Sequence, residues 1–523
     1  MLRFAAAFYL LLAGGALFLF SPGAAAQQAA TGADSSQQQP AKTRPDVARF
    51  RARVEAALGA TPAQKSFWGV LVSDADTGET LYELNADRYF TPASNTKIFT
   101  TAFALSKLGE AYRFTTSVQT HGTLDTKGRL RGDLVLVGRG DPDLSNRKFP
   151  FQGKAEREGP PEKAFADLAD QIVAKGVKQI EGDVIADDSY FEYERWPPEW
   201  EAGDLTFSYG AAVSAIAVDD NTFTVEVTPA ERSGQFASLH VEPWIGFYSV
   251  HNEIVTGPPG SELKLDLHWQ PGTRELEIVG SIPLGRKPMP LVFAIQEPAE
   301  YAAALLKHLL EERGVRVFGA ARARHTPVEG EGVATVLAEH VSPPLIEIIR
   351  LLNKLSMNLH AEMLLRAVSR IETGTGSRDA ALKLEAEFLK SAGVAEGDVS
   401  LGDGSGLSRG NLVTPRAVVA LLRYARRQPW GADFVSTLPV AGRDGTLEIE
   451  FKDTAGAGRI QAKTGTLEHA HAISGYATTL GGTHVVFSIF ANNYTLHTRD
   501  VDAVFEAICD AMVEEIGAAG TKP

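Results

Sequence analysis

The period of the apolar residues changes several times along the chain, and those changes divide it. From Asp46 an amphipathic helix is predicted through Leu58. Trp68 to Leu84 then reads as strand, turn, strand, with Asp76-Thr77-Gly78 at the turn. Pro92 precedes Ser94, after which Ile98, Phe99, Ala102 and Leu105 recur at helical spacing until Gly109 ends the run. From about 114 to 325 the pattern becomes alternating. Thr222 to Val227, Glu262 to His268 and Glu275 to Ile282 are separated by Pro and Gly clusters, and one helix-plus-strand unit, Ala164 to Ala186, is embedded among them. After about 330 helical spacing returns over Pro344 to Lys354, Asn358 to Ser369, Asp379 to Ser391 and Thr414 to Arg427. Two last strands, roughly Gln461 to Thr478 and His484 to Ala491, flank Gly481-Gly482, and a helix from about Arg499 to Ile516 closes the chain.

Helix and sheet elements on both sides of a β-rich block read as one domain split by an insertion. The split domain is 46–113 with 326–518. The inserted block, 114–325, is expected to hold two smaller domains, with about 147–218 nested within the rest.

The 523 residues, 44% hydrophobic and 22% charged, are those of an ordinary globular protein long enough for several domains. The net charge of −14, without a long basic run, argues against a nucleic-acid partner. The N-terminus has the layout of an export signal: Arg3, an uncharged apolar run from Phe4 to Phe20, then Ser21-Pro22-Gly23 before Ala24-Ala25-Ala26. A signal peptide over 1–26 and a disordered linker over 27–45, rich in Ala, Gln, Ser and Thr, are therefore expected, with at most peripheral membrane contact and an extracytoplasmic, periplasmic location. Cys509 is the only cysteine, so no internal disulfide is available, and its neighbours Val504, Ile508 and Met512 make it a core residue.

Three short motifs carry candidate chemistry. Ser94-Asn95-Thr96-Lys97 puts a serine and a lysine at i and i+3 in the first turn of an apolar-backed helix, on one face, where the lysine can take the serine proton. The positive end of that helix favours a developing alkoxide. Ser356-Met357-Asn358 falls at the joint between two helical runs, where a hydroxyl and an amide project together. Lys463-Thr464-Gly465, followed by Thr466, lies on a strand. Singly, each reads as well as a helix cap or a solvated surface group. Ser145-Asn146-Arg147-Lys148 shows how cheaply Ser-x-x-Lys arises, since Pro150 places it in a loop. Taken together and in this order, the three are the constellation of the penicillin-interacting serine acyl-transferases.

The chain resembles the class C low-molecular-mass penicillin-binding proteins, the D-alanyl-D-alanine carboxypeptidase/endopeptidase family of the penicillin-binding protein 4 type. The resemblance spans nearly the whole mature chain. It includes Gly138-Arg139-Gly140-Asp141-Pro142, Asp187-Asp188-Ser189-Tyr190-Phe191, Asp403-Gly404-Ser405-Gly406-Leu407-Ser408-Arg409 and Leu438-Pro439-Val440-Ala441-Gly442-Arg443-Asp444-Gly445-Thr446. The wide separation of the first two motifs fits the large insertion of that family. The resemblance implies an α/β (α+β) serine β-lactamase/DD-peptidase-like domain, an antiparallel sheet flanked by helices, carrying a mostly-β insertion. It also implies hydrolysis of peptidoglycan peptides ending in D-Ala-D-Ala, or of their cross-links, without metal or cofactor, and covalent inhibition by β-lactams.

The roles it implies are a nucleophile at Ser94, a general base at Lys97 whose pKa is lowered by burial and by Lys463, and a proton relay at Ser356. Asn358, Lys463, Thr464, Gly465 and Thr466 would bind substrate, with backbone N–H groups of Ser94 and Thr466 as the oxyanion hole. Asp187 and Arg409 match an acid and an arginine that bind the diamino-acid side chain of the peptide. The family often has Asp in the middle of Ser-x-Asn, where this chain has Met357. A β-lactamase-like hydrolase of the same fold and a non-catalytic wall-binding protein are the alternatives. His469 and His471 read as ordinary strand histidines, with no pattern to complete a metal site.

Overall fold

The structure, a computed structural model, describes residues 44–60, 63–269, 272–330 and 332–518. The expected signal peptide and all but the end of the expected linker lie outside those residues. Five antiparallel strands form the central sheet, in the order Thr80–Leu84, Phe67–Asp74, His484–Asn492, Ala470–Thr478, Ile460–Leu467. Both ends of the chain thus contribute to one sheet. Its side chains alternate between two dry faces, as the pleat requires. Leu71, Ala472, Tyr476, Val486 and Phe490 join a core with the helices Thr96–Leu108, Leu345–Leu355, Asn358–Thr373 and Pro415–Arg426. Val70, Val72, Ile473, Phe487 and Ile489 face the helices Pro45–Leu58 and Thr498–Glu515 instead. Because both faces are covered, the strand from Ala470 reads as a nearly continuous buried run. Cys509 lies within this second core, fully buried, and its thiol is pushed well up by burial.

The last part of the sheet differs from its sequence expectation. Gln461 to Thr478 is not one strand. It is a hairpin, Ile460–Leu467 and Ala470–Thr478, turning at Glu468-His469, where His469 takes φ 62°. No Gly or Pro marks this turn, and a histidine tolerates the left-handed region better than most side chains. The two histidines therefore share no strand face.

The segment between the Thr96–Leu108 and Leu345–Leu355 helices builds its own sheets. A five-stranded mixed sheet orders Ala321–Arg324, Val184–Asp187, Leu134–Val137, Thr115–Thr120 and Thr335–Val341. The helices Lys163–Ala174 and Pro298–Glu312 pack with it in one core. Two three-stranded sheets lie between Val184–Asp187 and Pro298–Glu312 in the chain. They are Ser238–Glu242, Thr222–Thr228 and Met289–Ala294, and Ser249–Gly257, Glu275–Pro283 and Lys264–Trp269.

The interposed piece is therefore about 219–296, not 147–218. Val184–Asp187 pairs in parallel with both Leu134–Val137 and Ala321–Arg324, so the helix-plus-strand unit belongs to the enclosing α/β layer. The Pro298–Glu312 helix also makes this region less purely β than its alternating segments suggest. Pro298 in its first turn and Leu305, Leu306, Leu309 and Leu310 on its buried side were readable signals for it.

Candidate active site

Ser94 sits in the tight turn Ala93–Asn95 that feeds the Thr96–Leu108 helix. The turn is strained. Ala93 has φ 48°, a left-handed conformation that costs a non-glycine residue on the order of 1–3 kcal/mol. Gly406 packs so tightly on this turn that a Cβ there would come within 1.9 Å of the Ala93 carbonyl oxygen. Gly465 does the same from the sheet edge, where a Cβ would lie 2.8 Å from the Ser94 nitrogen. A loop and a strand thus clamp the serine, and only glycine permits either approach.

Lys97 is fully buried. Its Nζ lies 2.8 Å from Ser94 Oγ, 2.6 Å from Asn358 Oδ1 and 2.6 Å from the Ser405 carbonyl oxygen. Burial lowers its pKa to about 7, against the opposing charges of Asp403 and Glu362. The geometry shows what a neutral amine does here. The Asn358 and Ser405 oxygens can only accept, so they take the two N–H bonds, and the lone pair is left for the Ser94 hydroxyl.

Ser356 is the left-handed C-cap between two helices, at φ 60° and ψ 44°. Its Oγ accepts from Lys463 Nζ at 2.8 Å, and the same amine donates to the Thr464 carbonyl at 2.8 Å. Lys463 is buried, and burial, followed by the charge of Lys97, holds its pKa well below the ordinary lysine value. Lys463 is therefore a hydrogen-bond donor to Ser356 more than a free cation. Asn358 is pinned from both ends: Oδ1 accepts from Lys97, and Nδ2 donates to the Tyr209 carbonyl at 2.8 Å. Thr464 Oγ1 lies 2.7 Å from Thr446 Oγ1.

Ser94, Ser356, Asn358 and Thr466 line one open cleft of about 530 Å³. A model of the D-Ala-D-Ala carboxypeptidase 3 (S13) family matches residues 50–514. The chain belongs to that family. It is 35% identical over 460 residues to a D-alanyl-D-alanine carboxypeptidase of an Actinomadura species, covering 86% of this chain and 82% of that one. It is 28% identical over 451 residues to D-alanyl-D-alanine carboxypeptidase DacB of Haemophilus influenzae, covering 83% of this chain and 87% of the relative. The crystal structure of penicillin binding protein 4 (dacB) from that organism superposes with a TM-score of 0.76 at 25% identity, over 88% of this chain and 98% of that one. The protein is accordingly a serine D-Ala-D-Ala carboxypeptidase of the S13 family, and its catalytic sheet with flanking helices is the fold of its relatives.

Within this S13 cleft the two specificity candidates part company. Arg409 lines it, donating to Glu201 Oε1 at 2.6 Å and to the Glu468 carbonyl at 3.0 Å. Asp187 does not line it. Its carboxylate ends the Val184–Asp187 strand, accepting from the Ser189 N–H at 3.0 Å and from Arg324 at 3.4 Å. The acids that the inserted segment brings to the cleft are Glu201 and Asp204. Burial raises the Asp204 carboxyl above its usual range, against a hydrogen bond from Tyr209. Both acids sit in an irregular stretch after Trp196-Pro197-Pro198, where no periodic pattern points inward.

Two buried carboxylates have a part that the sequence reading did not assign: Glu362, and Asp403, which it quoted only as a motif position. Asp403 accepts from the Gly406 and Ser408 N–H groups at 2.8 and 2.7 Å, from Asn411 at 2.7 Å and from Trp200 at 3.0 Å. Glu362 accepts from the Gly404 and Ser405 N–H groups at 2.8 and 2.9 Å, and from Arg366 at 2.8 Å. Together they fix the loop whose Ser405 carbonyl holds Lys97.

His471 is likewise more than a filler. It links Thr466 Oγ1 at 2.8 Å to Asp502 at 2.7 Å, so it orients a cleft-lining residue. Among the described residues no cluster of three or more His, Cys, Asp or Glu has the arrangement of a metal site.

Proposed function

We propose that the protein hydrolyses peptidoglycan stem peptides, releasing the terminal D-Ala or opening a D-configured cross-link, through an acyl-enzyme on Ser94. The observation that carries this reading is the Lys97 amine, dry, 2.8 Å from Ser94 Oγ and with its pKa brought by burial to about 7. Neutral Lys97 takes the Ser94 proton as Oγ attacks the carbonyl of the penultimate D-Ala. The oxyanion so formed lies between the Ser94 and Thr466 N–H groups, which the close approach of Gly465 to the Ser94 turn brings together. The leaving amine takes its proton from Ser356, to which the Lys97 ammonium passes the proton it took from Ser94, so that Lys97 is neutral again; Lys463, hydrogen-bonded to Ser356, holds that hydroxyl in place. Water then attacks the ester with Lys97 as base, returning the proton to Ser94 and freeing the shortened peptide.

Arrival of the substrate carboxylate beside Thr464 and Thr466 favours protonation of Lys463, whose charge burial and Lys97 otherwise suppress. Arg409 and the Glu201–Asp204 acids face the incoming diamino-acid side chain. A titratable carboxyl opposite an arginine suits a side chain that carries an ammonium beside a carboxylate. β-Lactams mimic the D-Ala-D-Ala amide and acylate the same serine. The chain works outside the cytoplasm, most naturally in a periplasm, after removal of 1–26. The catalytic unit is 46–113 with 326–518, and the intervening segment serves as its substrate wall. No helix among the described residues is long and apolar enough to cross a membrane.

Incubation of the protein with a pentapeptide ending in D-Ala-D-Ala tests the reading. Release of D-Ala by wild type and its loss in Ser94→Ala is expected. Undiminished release by Ser94→Ala overturns it.

A further inference from the structure

The inserted segment touches the catalytic helices at a second place, deeper than the substrate cleft. Asp219, Asp220 and Asn221 form a turn in which three successive non-glycine residues have φ 44°, 57° and 55°. Such a run is strained backbone and persists only where surrounding contacts enforce it. The contacts are present. Asn221 donates to the Ala212 carbonyl at 2.8 Å and accepts from the Val218 N–H at 2.9 Å. Arg157 pairs with Asp219. Arg147, itself buried, pairs with both oxygens of Asp220 and reaches Asp143 at 3.1 Å. Burial works to raise the Asp220 carboxyl, but Arg147 and a hydrogen bond from His360 outweigh it and hold the group far below the usual range.

His360 is the reason to connect this turn with catalysis. It is fully buried, two residues beyond Asn358 in the first turn of the Asn358–Thr373 helix. Its Nε2 lies 2.9 Å from Asp220 Oδ1. The same first turn is held from the same inserted segment by the Tyr209 carbonyl, which accepts from Asn358 Nδ2. Asn358 Oδ1 in turn takes one of the two N–H bonds of neutral Lys97. A continuous chain therefore runs Arg147, Asp220, His360, helix first turn, Asn358, Lys97.

We propose that Asp220 is a positioning residue for acylation: through His360 it sets the first turn of the Asn358–Thr373 helix, and so the Asn358 oxygen that orients the Lys97 lone pair toward Ser94. On this view the insertion is more than a substrate wall. It supplies part of the frame of the general base, and the strained turn is the cost of delivering a carboxylate to a histidine beneath the active-site floor. The proposal rests on the Ser94–Lys97 mechanism above, and its test separates the two.

The experiment measures the acylation rate by a fluorescent penicillin, and its pH profile, for wild type, Asp220→Ala, Asp220→Asn, His360→Ala and Asp219→Ala, with thermal melting of each. Failure of wild type to acylate contradicts the mechanism itself. With wild type active, Asp220→Ala and His360→Ala are expected to acylate roughly ten- to a hundredfold more slowly per folded molecule, because a misplacement of about 1 Å is worth on the order of a hundredfold. Their acid limb should also move, because Lys97 loses a fixed hydrogen-bond acceptor. Asp220→Asn keeps an acceptor for His360 and should recover part of the rate. Asp219→Ala, which removes only the Arg157 pair, should lower melting temperature while acylating as wild type does. If His360→Ala and Asp220→Asn melt lower yet acylate within twofold of wild type with the same pH profile, the role is structural only and the proposal is overturned. That outcome remains available even if Asp220→Ala does not fold.

Discussion

Lys97 Nζ and Ser94 Oγ stand 2.8 Å apart across one helical turn, in a site where the lysine is wholly shielded from water. Proximity alone would leave an ammonium beside a hydroxyl, which is useless for deprotonation. What makes the pair reactive is the company of the amine: two oxygens that only accept, and burial that brings its pKa to about 7.

The pH dependence follows with a definite sign. Acylation, measured as a second-order rate with penicillin, should fall about tenfold per pH unit below about 7 as Lys97 becomes protonated. The same group affects stability in the same direction. An unfolded lysine keeps its proton to about pH 10.4, whereas folded Lys97 releases it near 7, so raising the pH between those values stabilises the fold. Lys97→Arg, which cannot release a proton, should acylate at least a hundredfold more slowly. An acylation rate flat from pH 5 to 8 would remove Lys97 from the role of base.

Gly465→Ala tests the clamp on the nucleophile. A Cβ there meets the Pro92 carbonyl at 2.7 Å, the Ser94 nitrogen at 2.8 Å and the Asn95 nitrogen at 3.0 Å, all backbone and none able to swing aside. The strand edge must back away from the serine, opening the oxyanion hole. Loss of one oxyanion donor costs about a hundredfold or more, and stopped-flow acylation should show a fall of that order, with a lowered melting temperature from the displaced strand edge.

Arg366→Ala should be among the most destabilising single changes near the site. It leaves Glu362 buried with its charged partner gone, at a cost of about 3–5 kcal/mol, and leaves Glu194 on the inserted segment to Arg378 alone. Denaturant unfolding reads the loss directly. Acylation should weaken too, since Glu362 holds the N–H groups of Gly404 and Ser405, and Ser405 holds Lys97.

Asp204→Asn and Arg409→Ala should separate peptide recognition from acyl transfer. Both line the cleft beside the reacting groups without touching Ser94 or Lys97. KM for a stem peptide carrying a free diamino acid should rise roughly tenfold, while acylation by benzylpenicillin, which lacks that side chain, stays near the wild-type rate. Asp187→Asn, paired with Arg324 away from the cleft, should leave both unchanged.

How much of this was legible beforehand depended on whether local pattern carried the signal. Ser94 and Lys97 were readable because helical spacing alone puts i and i+3 on one face, and the apolar positions behind them announced the helix. Lys463-Thr464-Gly465 was readable as a strand, but the hairpin after it was not, since His469 adopts a left-handed φ with no residue type that advertises it. Glu362, Asp403 and His471 looked like ordinary helix, loop and strand residues. Part of what they do comes from distant partners, Trp200 for Asp403, Gly404 and Ser405 for Glu362 and Asp502 for His471, and their near partners lie in loops and turns whose hydrogen bonds follow no periodic pattern. The same holds for Asp187: its motif position suggested the cleft, yet parallel pairing places it at a strand end beside Arg324, and the irregular stretch from Glu201 to Tyr209 reaches the cleft instead.

The most direct measurement of the account is the intact mass and peptide map of the protein after brief exposure to benzylpenicillin. A single adduct of one penicillin mass is predicted, mapping to the peptide that contains Ser94 and absent from Ser94→Ala. An adduct on another residue, or an unchanged adduct on Ser94→Ala, would contradict it.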